Sequence, residues 1–435
     1  MSGVLIRLGL HRAELRAWAA YDWANSVFMT TVLQVFPLYF LEVAAGALPR
    51  SVASARFAWA SAAAITLVGL AGPLLGALAD YRGSKKTLLG LFLGLGVVAT
   101  AAMHMVGRGE WVLALALFVA ANVGATSTLV FYNSLLPHVA RPEELDRVST
   151  AGYGLGYLGG GILLALNLAV IRDPGRLGLE DQAAAMRLSF LSAAVWWALF
   201  SLPLFLRVPE PPRRLEAGEA GRNPLSVAVS RLRETIRALR GHRDAVLLLL
   251  AFLIYNDAVN TIIRMATTIG RELGIPIGSL IAAILLVQFV GFPFAFAFGA
   301  LAGRLGPKRA LFVALGVYVG ISVLGFSLRT GAHFFLLAFL VGTVMGGAQA
   351  LSRSLFATMV PRHKSAEMFG FFGVFDRFGG AVGTSVLGLT LTLTGSTRPA
   401  LLTLIAFFVL GGVLLSRVDV DRGRRVAREA EARAA

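Results

Sequence analysis

Cysteine is absent from this sequence, since none of its 435 residues is one. Disulfides and thiolate metal sites are therefore excluded. The six histidines are scattered along the chain and form neither an H-x-x-x-H nor an H-E-x-x-H pair, so the spacing of a helical zinc site is missing as well. We expect no metal and no cofactor.

Charge is also scarce, at 15% of residues against 57% hydrophobic ones, whereas soluble domains have about 25% charged residues. Apolar runs of the length that crosses a bilayer recur roughly twelve times between residues 17 and 416. The alternating pattern of an outer-membrane barrel is missing. The sequence predicts an all-α membrane protein with twelve transmembrane helices. No cleavable signal peptide is expected, because the charged N-terminus runs into a long span without a cleavage site.

Basic residues dominate the charges that remain, and the net charge is +16. If both termini lie inside, 28 of the 40 Lys and Arg residues fall on the side of the termini and nine on the opposite side. This is the positive-inside pattern, which favours a lipid environment over a nucleic-acid partner. We expect a monomeric, multi-pass protein of a bacterial cytoplasmic (inner) membrane, with both termini cytoplasmic.

The longest polar segment divides the predicted spans six and six. We expect an N-terminal six-helix bundle over residues 1–206, a cytoplasmic linker over 207–243, a C-terminal six-helix bundle over 244–417 and a basic tail over 418–435. Within the linker, apolar residues recur with helical spacing and predict an amphipathic helix: Leu225, Val229, Leu232, Ile236 and Leu239. Two placements stay open, on the lipid surface or packed on the protein.

An internal repeat supports this division. GALADYRGSKKTL (residues 76–88) returns as GALAGRLGPKRAL (residues 299–311), and YDWANS (21–26) has a partial counterpart in YNDAVNT (255–261). Two six-helix halves with the same orientation are typical of transporters built from parallel repeats.

The first of these loops resembles the signature G-x-L-A-D-R-x-G-R-K-x-x-L of the major facilitator superfamily. Tyr81 and Ser84 depart from it, and Gly303 replaces the acid in the second copy. The resemblance implies that Asp80 latches the two halves together on the cytoplasmic side, and an acid suits a helix N-terminus. The predicted gate motif comprises Gly76, Asp80, Arg82, Gly83, Lys85, Arg304, Gly306 and Lys308.

A fuller resemblance is to the Unknown Major Facilitator family of vacuole-effluxer-like proteins, which are related to an autophagy transporter. The matching stretches are YDWANS, FYNSLLPHVARPEELDRVS with GYGLGYLGGG, FLIYNDAVNTII, and GGAQALSRSLFATMVP with FGFF. This resemblance implies two bundles around a central cavity lined by spans one, four, seven and ten. It also implies amino-acid efflux as the activity.

Charged residues within the spans are candidates for function, since burying a charge at the centre of a helix costs about 2.5 to 3.5 kcal/mol or more. Polar residues also form stripes on spans one, four, seven and ten. We predict a substrate-binding or coupling site from Asp22, Asn25, Asn122, Asn133, Asn256, Asp257, Asn260, Arg264, Gln349, Arg353 and Asp376. Each could instead make a structural hydrogen bond or ion pair, and Arg353 could pair with Asp22 or with Asp376. Depth makes Asp257 the first candidate for proton coupling and Asp22 the second.

One motif matches a function that its context excludes. GLGYLG (residues 154–159) matches a dinucleotide fingerprint, but it lies inside an apolar helix and does not follow a strand. Gly152, Gly156 and Gly160 instead indicate close helix packing. No phosphate-binding loop and no catalytic constellation is present, so we do not expect an enzyme.

The sequence therefore predicts a secondary transporter that moves a small solute, an amino acid or a related metabolite, coupled to protons. Two alternatives remain. One is an exporter of hydrophobic or drug-like compounds, which the phenylalanine-rich spans eight and eleven would permit. The other is a membrane sensor that does not transport.

Overall fold

The fold was taken from a computed structural model of the chain. It describes all residues except 1, 214, 216–218, 220, 239–241, 379–380, 395–397 and 435. Within these described residues the chain is helical and has no strand.

Helices of the described residues occupy the twelve predicted spans in chain order. The first six are Ala13–Ala44, Arg50–Arg82, Lys85–Met105, Trp111–Val139, Leu145–Arg172 and Gln182–Arg207. Spans seven to ten are Arg243–Glu272, Ile277–Leu305, Pro307–Phe326 and Gly331–Thr358. The eleventh consists of Ser365–Phe378 and Ala381–Thr394, and the twelfth is Arg398–Ser416. Three further helices lie outside the spans: Ser2–Arg7, a linker helix (Pro224–Ala238) and a C-terminal helix (Val420–Arg433).

Length and composition support the membrane assignment. Ten helices of the described part are long and apolar enough to cross a bilayer, or eleven if the bent pair Leu401–Ser416 and Val420–Arg433 counts as one span. Every one of the twelve predicted segments holds helix, which confirms the predicted all-α fold class. The four domain boundaries stay a prediction.

Both ends of the chain lie on one side of the molecule, which we call the terminal side. Gly9 packs on the beginning of the fifth span, where an added Cβ would lie 2.9 Å from the backbone of Arg147. Gly423 of the C-terminal helix packs on Met359 at the end of the tenth span. The turns that follow spans two, four, eight and ten therefore also lie on the terminal side.

Glycines bring the first and fifth spans into close contact. A Cβ on Gly156 would lie 2.5 Å from Oγ of Ser26, and one on Gly160 would lie 2.8 Å from Cγ2 of Thr30. A Cβ on Gly152 would lie 2.4 Å from Oδ2 of Asp22, which also belongs to the first span. The predicted packing role of these three glycines is confirmed.

The two bundles meet through two close seams on the terminal side. Span two packs on span eleven, where a Cβ on Gly76 would lie 2.2 Å from the carbonyl oxygen of Ala366. Span five packs on span eight, where a Cβ on Gly299 would lie 2.2 Å from Oγ1 of Thr150. Only glycine allows either approach without a shift of the backbone or a side chain.

The linker helix uses a different face from the one that its apolar spacing predicts. Its buried residues are Val227, Ala228, Arg231 and Thr235, whereas Leu225 of the predicted apolar face is 58% exposed. Leu239 and the side chain of Ile236 lie outside the described part of the chain. The helix therefore packs on the protein through one face, and its contact with lipid stays a prediction.

Candidate functional site

A buried ion pair joins the two bundles. Arg353 on span ten places its Nη2 3.1 Å from Oδ2 of Asp22 on span one, and their exposed fractions are 2% and 8%. Sequence reasoning left Arg353 two possible acids, and the structure pairs it with Asp22.

The guanidinium of Arg353 is otherwise surrounded by groups of the N-terminal bundle. It donates to the backbone oxygen of Ser149 at 2.9 Å, to Oγ of the same residue at 2.9 Å and to Oδ1 of Asn133 at 3.2 Å. Three aromatic rings flank it, with centroids 4.4 to 5.6 Å away: Trp18, Tyr132 and Tyr153. Because all these partners belong to the opposite bundle, separating the bundles would remove them together.

The second acid that was considered for Arg353 has a partner of its own. Asp376 on span eleven accepts a hydrogen bond from Nδ2 of Asn256 on span seven at 2.9 Å. The neighbouring Arg377 reaches across to the backbone oxygen of Thr126 on span four, at 3.4 Å. These two neighbouring residues of span eleven therefore make one polar contact within their own bundle and one to the other bundle.

Asp257 is buried inside the C-terminal bundle, with 2% exposure. Its Oδ2 accepts a hydrogen bond from the backbone N–H of Gly383 on span eleven at 2.6 Å, and its Oδ1 has no hydrogen-bond partner among the described residues. Thr261 donates to the backbone oxygen of Asp257. The carboxylate thus faces span eleven, and its coupling role stays a prediction.

The remaining amide side chains of the predicted site are dispersed. Gln349 accepts a hydrogen bond from Tyr157 across the bundle interface at 3.3 Å, while Asn122 accepts one from Thr126 on its own helix at 3.1 Å. Asn25 is buried at 3% exposure. Asn260 is partly exposed.

A cavity of about 360 Å³ lies in the C-terminal half, on the side away from the ion pair. Its wall is largely aliphatic, and Gln34, Arg264 and Gln288 supply the polar side chains among its described lining residues. Of the predicted site residues the cavity takes in only Arg264, which is exposed. The structure therefore brings the predicted residues together in several groups, with Asp22, Asn133 and Arg353 forming the tightest one.

The gate motif binds the beginning of the eleventh span. Oδ1 and Oδ2 of Asp80 accept hydrogen bonds from the backbone N–H groups of Ala366 and Glu367 at 3.2 and 2.9 Å. These amides lie in the first turn of a helix, which has no intrahelical acceptors for them. An acid of one bundle thus caps a helix of the other.

Lys85 stabilises this cap through its ammonium group. Its ammonium lies 2.9 Å from Oδ1 of Asp80, 2.6 Å from Oγ of Ser365 and 2.9 Å from Nε2 of His138. The ammonium thus contacts the capping acid of span two, the first residue of span eleven and the end of span four. Gly83 ends the preceding helix in the left-handed conformation, and Arg82 beside it is exposed.

The second copy of the motif stays within its own bundle. Lys308 donates to the backbone oxygens of Ser416 and Val418 at the end of span twelve, at 2.9 and 2.7 Å. In the first copy, Lys86 makes the equivalent bonds to the end of span six, where it donates to the backbone oxygens of Phe205 and Val208. Gly306 has a positive φ, and Arg304 is exposed. The latch geometry is therefore present in one copy only, where the acid is retained.

Comparison with known proteins identifies the family. The family model described as vacuole effluxer Atg22 like matches residues 45–428. The chain belongs to this family. A Bacillus subtilis (strain 168) protein named as the MFS-type transporter YxiO is 34% identical over 416 residues, covering 95% of this chain and 96% of its own length. Autophagy-related protein 22 of Yarrowia lipolytica is 25% identical over 315 residues, and this chain spans 52% of its length.

Solved structures confirm the fold of this Atg22-like chain. The proton:xylose symporter XylE aligns over 99% of both chains with a TM-score of 0.72 at 14% identity. The transporter FucP, in its outward conformation, aligns over 94% of this chain and all of its own with a TM-score of 0.64 at 15% identity. The predicted major facilitator fold, with two six-helix bundles, is thereby confirmed.

Sequence reasoning missed the residues through which the linker joins the gate of this Atg22-like chain. The hydroxyl of Tyr81 donates to the backbone oxygens of Glu219 and Arg222 at 3.2 and 3.0 Å. Arg213 donates to the backbone oxygen of Tyr81 and lies over its ring. Arg231 forms a buried bidentate pair with Glu219. The sequence signal for this contact is Tyr81 itself, which departs from the superfamily motif.

Proposed function

We propose that this chain is a secondary active transporter that moves a small solute by alternating access. The observation that carries the proposal is the ion pair between Asp22 and Arg353, which joins the bundles on the terminal side while a cavity lies beyond it. Transporters with repeated halves rock one half against the other around a site near the midplane. Contacts between bundles that close one side are what such a motion must break.

Several contacts support a closed terminal side. Asp80 caps the eleventh span, and Ser149 donates to the backbone oxygen of Ala350 at 2.7 Å. Ser354 donates to Oδ1 of Asp146 at 2.6 Å. Every one of these bonds links the N-terminal bundle to the C-terminal one, and every one lies on the terminal half of its span.

The distribution of basic residues supports a cytoplasmic terminal side, in a bacterial inner membrane. The terminal side contains 28 of the 40 Lys and Arg residues, as the positive-inside rule requires of cytoplasmic loops. In this orientation the described state is closed to the cytoplasm and its cavity lies in the outer half. A FucP structure of the same fold is described as being in the outward conformation.

Family membership supports efflux of an amino acid or a related metabolite. The family model carries the description of a vacuole effluxer. A second candidate cargo, a hydrophobic compound, is supported by the aliphatic wall of the cavity. A ligand-stabilisation screen with amino acids, other metabolites and apolar compounds would separate them, and flux of each stabilising ligand into proteoliposomes would then test transport.

Proton coupling completes the proposal, with Asp257 and Asp22 as the two candidate carriers. Both carboxyl groups are buried, Asp257 inside the C-terminal bundle and Asp22 in its ion pair with Arg353. The test is uptake under an imposed pH gradient with Asp257→Asn and Asp22→Asn. A coupling residue loses the response to the gradient while exchange without a gradient persists. If Asp257→Asn kept the full response, the coupling role of Asp257 would be wrong. No flux of any stabilising ligand would instead favour the sensor.

A further inference from the structure

Glu367 carries a buried carboxyl group that has no role in the mechanism proposed above. It lies in the first turn of the eleventh span, its exposed fraction is 0%, and neither carboxyl oxygen has a hydrogen-bond partner among the described residues. An ionised carboxylate in such surroundings costs several kcal/mol relative to water. The packing therefore favours the protonated, neutral form of Glu367 in this state.

The neighbouring charges do not reverse this preference. The polar side chain that interacts with the carboxyl group is Thr235 of the linker helix, and the charges that act on it are Asp80 on span two, Lys364 before span eleven and Arg231 on the linker helix. Asp80 repels a second carboxylate. Arg231 is paired with Glu219, whereas Lys85 of span three is bonded to Asp80 and to His138 of span four.

The burial of Glu367 depends on the contact between the bundles. Its backbone N–H donates to Asp80 of the opposite bundle at 2.9 Å, and a Cβ on Gly76 would lie 2.7 Å from the nitrogen of Glu367. Separating span two from span eleven would therefore break the cap and admit water to the carboxyl group. In water a glutamate is ionised at neutral pH.

We propose that Glu367 is a proton-binding site of the gate on the terminal side. The gate closes with the Glu367 carboxyl protonated, and it opens when that O–H bond breaks and the proton leaves to the water on the terminal side. This deepens the proposed function, because it rests on alternating access, but it depends on neither the cargo nor the coupling role of Asp257. It makes the gate itself sensitive to the pH on the side that carries the termini.

The sign of the pH dependence follows from proton linkage. The closed state binds one proton more than the open state at neutral pH, so raising the pH favours opening. With one proton the ratio of open to closed molecules rises up to about tenfold per pH unit. The effect requires no substrate.

The experiment measures the gate directly. Because the chain lacks cysteine, the pair Thr87→Cys and Arg309→Cys can be spin-labelled without background, and both residues are exposed next to turns on the terminal side. The distance between the two spin labels is measured by electron–electron double resonance on the full-length protein in lipid nanodiscs, from about pH 5 to 9. The expected result is an open population that grows with pH.

The Glu367→Gln variant isolates the carboxyl group. It resembles the neutral acid in shape, so the gate should stay closed and the pH slope should disappear. Glu367→Met, of similar volume, is a second variant in case the first fails to fold. Asp80→Asn is the matched control, since it weakens the same cap and should raise the open fraction at every pH while keeping the slope.

Three outcomes would overturn the inference. In the first, Glu367→Gln retains the slope of the parent protein, so another group senses pH. In the second, the parent protein populates the open state to the same extent at every pH, which leaves alternating access intact. In the third, a single distance persists at every pH, so the gate does not respond to pH, and the flux of a stabilising ligand then decides separately whether alternating access stands.

Discussion

Asp22 and Arg353 are 331 positions apart in the sequence, yet they form a buried ion pair at 3.1 Å. The pair crosses from the first span to the tenth and so from one bundle to the other. Its remaining partners, Ser149 and Asn133, also come from the N-terminal bundle. The guanidinium therefore keeps these partners only while the bundles are in contact on the terminal side.

Removing one partner of this pair should destabilise the described state. Breaking a buried pair costs about 3 to 5 kcal/mol, because a buried charge loses its compensation. We expect Asp22→Asn to lower the thermal midpoint and to increase the open population, and the double variant with Arg353→Gln to recover part of the loss. The control is Asp173→Asn, whose pair with Arg176 is exposed and should contribute at most about 1 kcal/mol. An unchanged midpoint in Asp22→Asn would contradict the role of the pair.

Gly76→Ala should prevent the bundles from closing. The added Cβ would lie 2.2 Å from the carbonyl oxygen of Ala366, which is backbone and cannot rotate away. We expect the label distance across the terminal side to lengthen. Gly94→Ala is the matched control, because its Cβ would meet nothing within 4 Å, and alanine stabilises a helix relative to glycine by about 1 kcal/mol. Equal distances in both variants would show that the seam tolerates the methyl group.

Tyr81→Phe should loosen the linker without unfolding the bundles. The variant loses a hydroxyl whose one hydrogen is shared between the backbone oxygens of Glu219 and Arg222, at a cost of about 0.5 to 1.5 kcal/mol. We expect faster tryptic cleavage within residues 207–243. Tyr318→Phe serves as the control, since the hydroxyl of Tyr318 has no hydrogen-bond partner among the described residues. If both variants were cut at the parent rate, Tyr81 would not anchor the linker.

The N-terminal segment should detach at acidic pH. Glu144, in the turn after span four, is bound by Arg12 at 2.5 Å and by the backbone N–H of Arg141 at 2.9 Å. Partial burial alone would raise the pKa of Glu144, but the Arg141 amide, Arg12 and His11 together hold it below the ordinary value. A lowered pKa means that the ionised group stabilises the folded form above the ordinary pKa of about 4.3. This contribution is lost as the pH falls through the lower, folded value.

Hydrogen exchange of residues 4–12 would check this prediction. Protection should be constant from neutral pH down to about 4.5 and should decrease below it. Glu144→Gln should show the reduced protection already at neutral pH. The adjacent Glu143 is exposed, so Glu143→Gln is the matched control and should behave as the parent chain. A pH profile shared by all three proteins would rule out Glu144 as the cause.

The spans and the repeat could be predicted because their signals are local. An apolar run of about 20 residues specifies a helix across a bilayer wherever its neighbours lie. The acid of the gate motif was likewise recognisable as a partner for a helix N-terminus. Which helix it caps was not, because the amides of Ala366 and Glu367 are nearly three hundred positions away, as the separations of 286 and 287 residues show.

Counting residues gives a prediction of depth along a helix, but it gives no direction around the helix. For Asp257 the sequence predicts a deep position, and the packing of span eleven determines that its carboxylate faces Gly383. The choice of Asp22 over Asp376 for Arg353 had the same cause. Two acids at similar depth differ only in which neighbour each helix faces, and no local pattern encodes that.

The sequence by itself determined the class of protein, the apolar helices, the parallel halves and the polar residues that a membrane helix would not bear without a partner. Composition and periodicity suffice for these, since the bilayer acts on each helix separately. Only the tertiary structure decided which polar residues are partners, which side is closed and how Tyr81 holds the linker. Those features depend on contacts between distant helices, where glycines such as Gly76 and Gly299 set the approach.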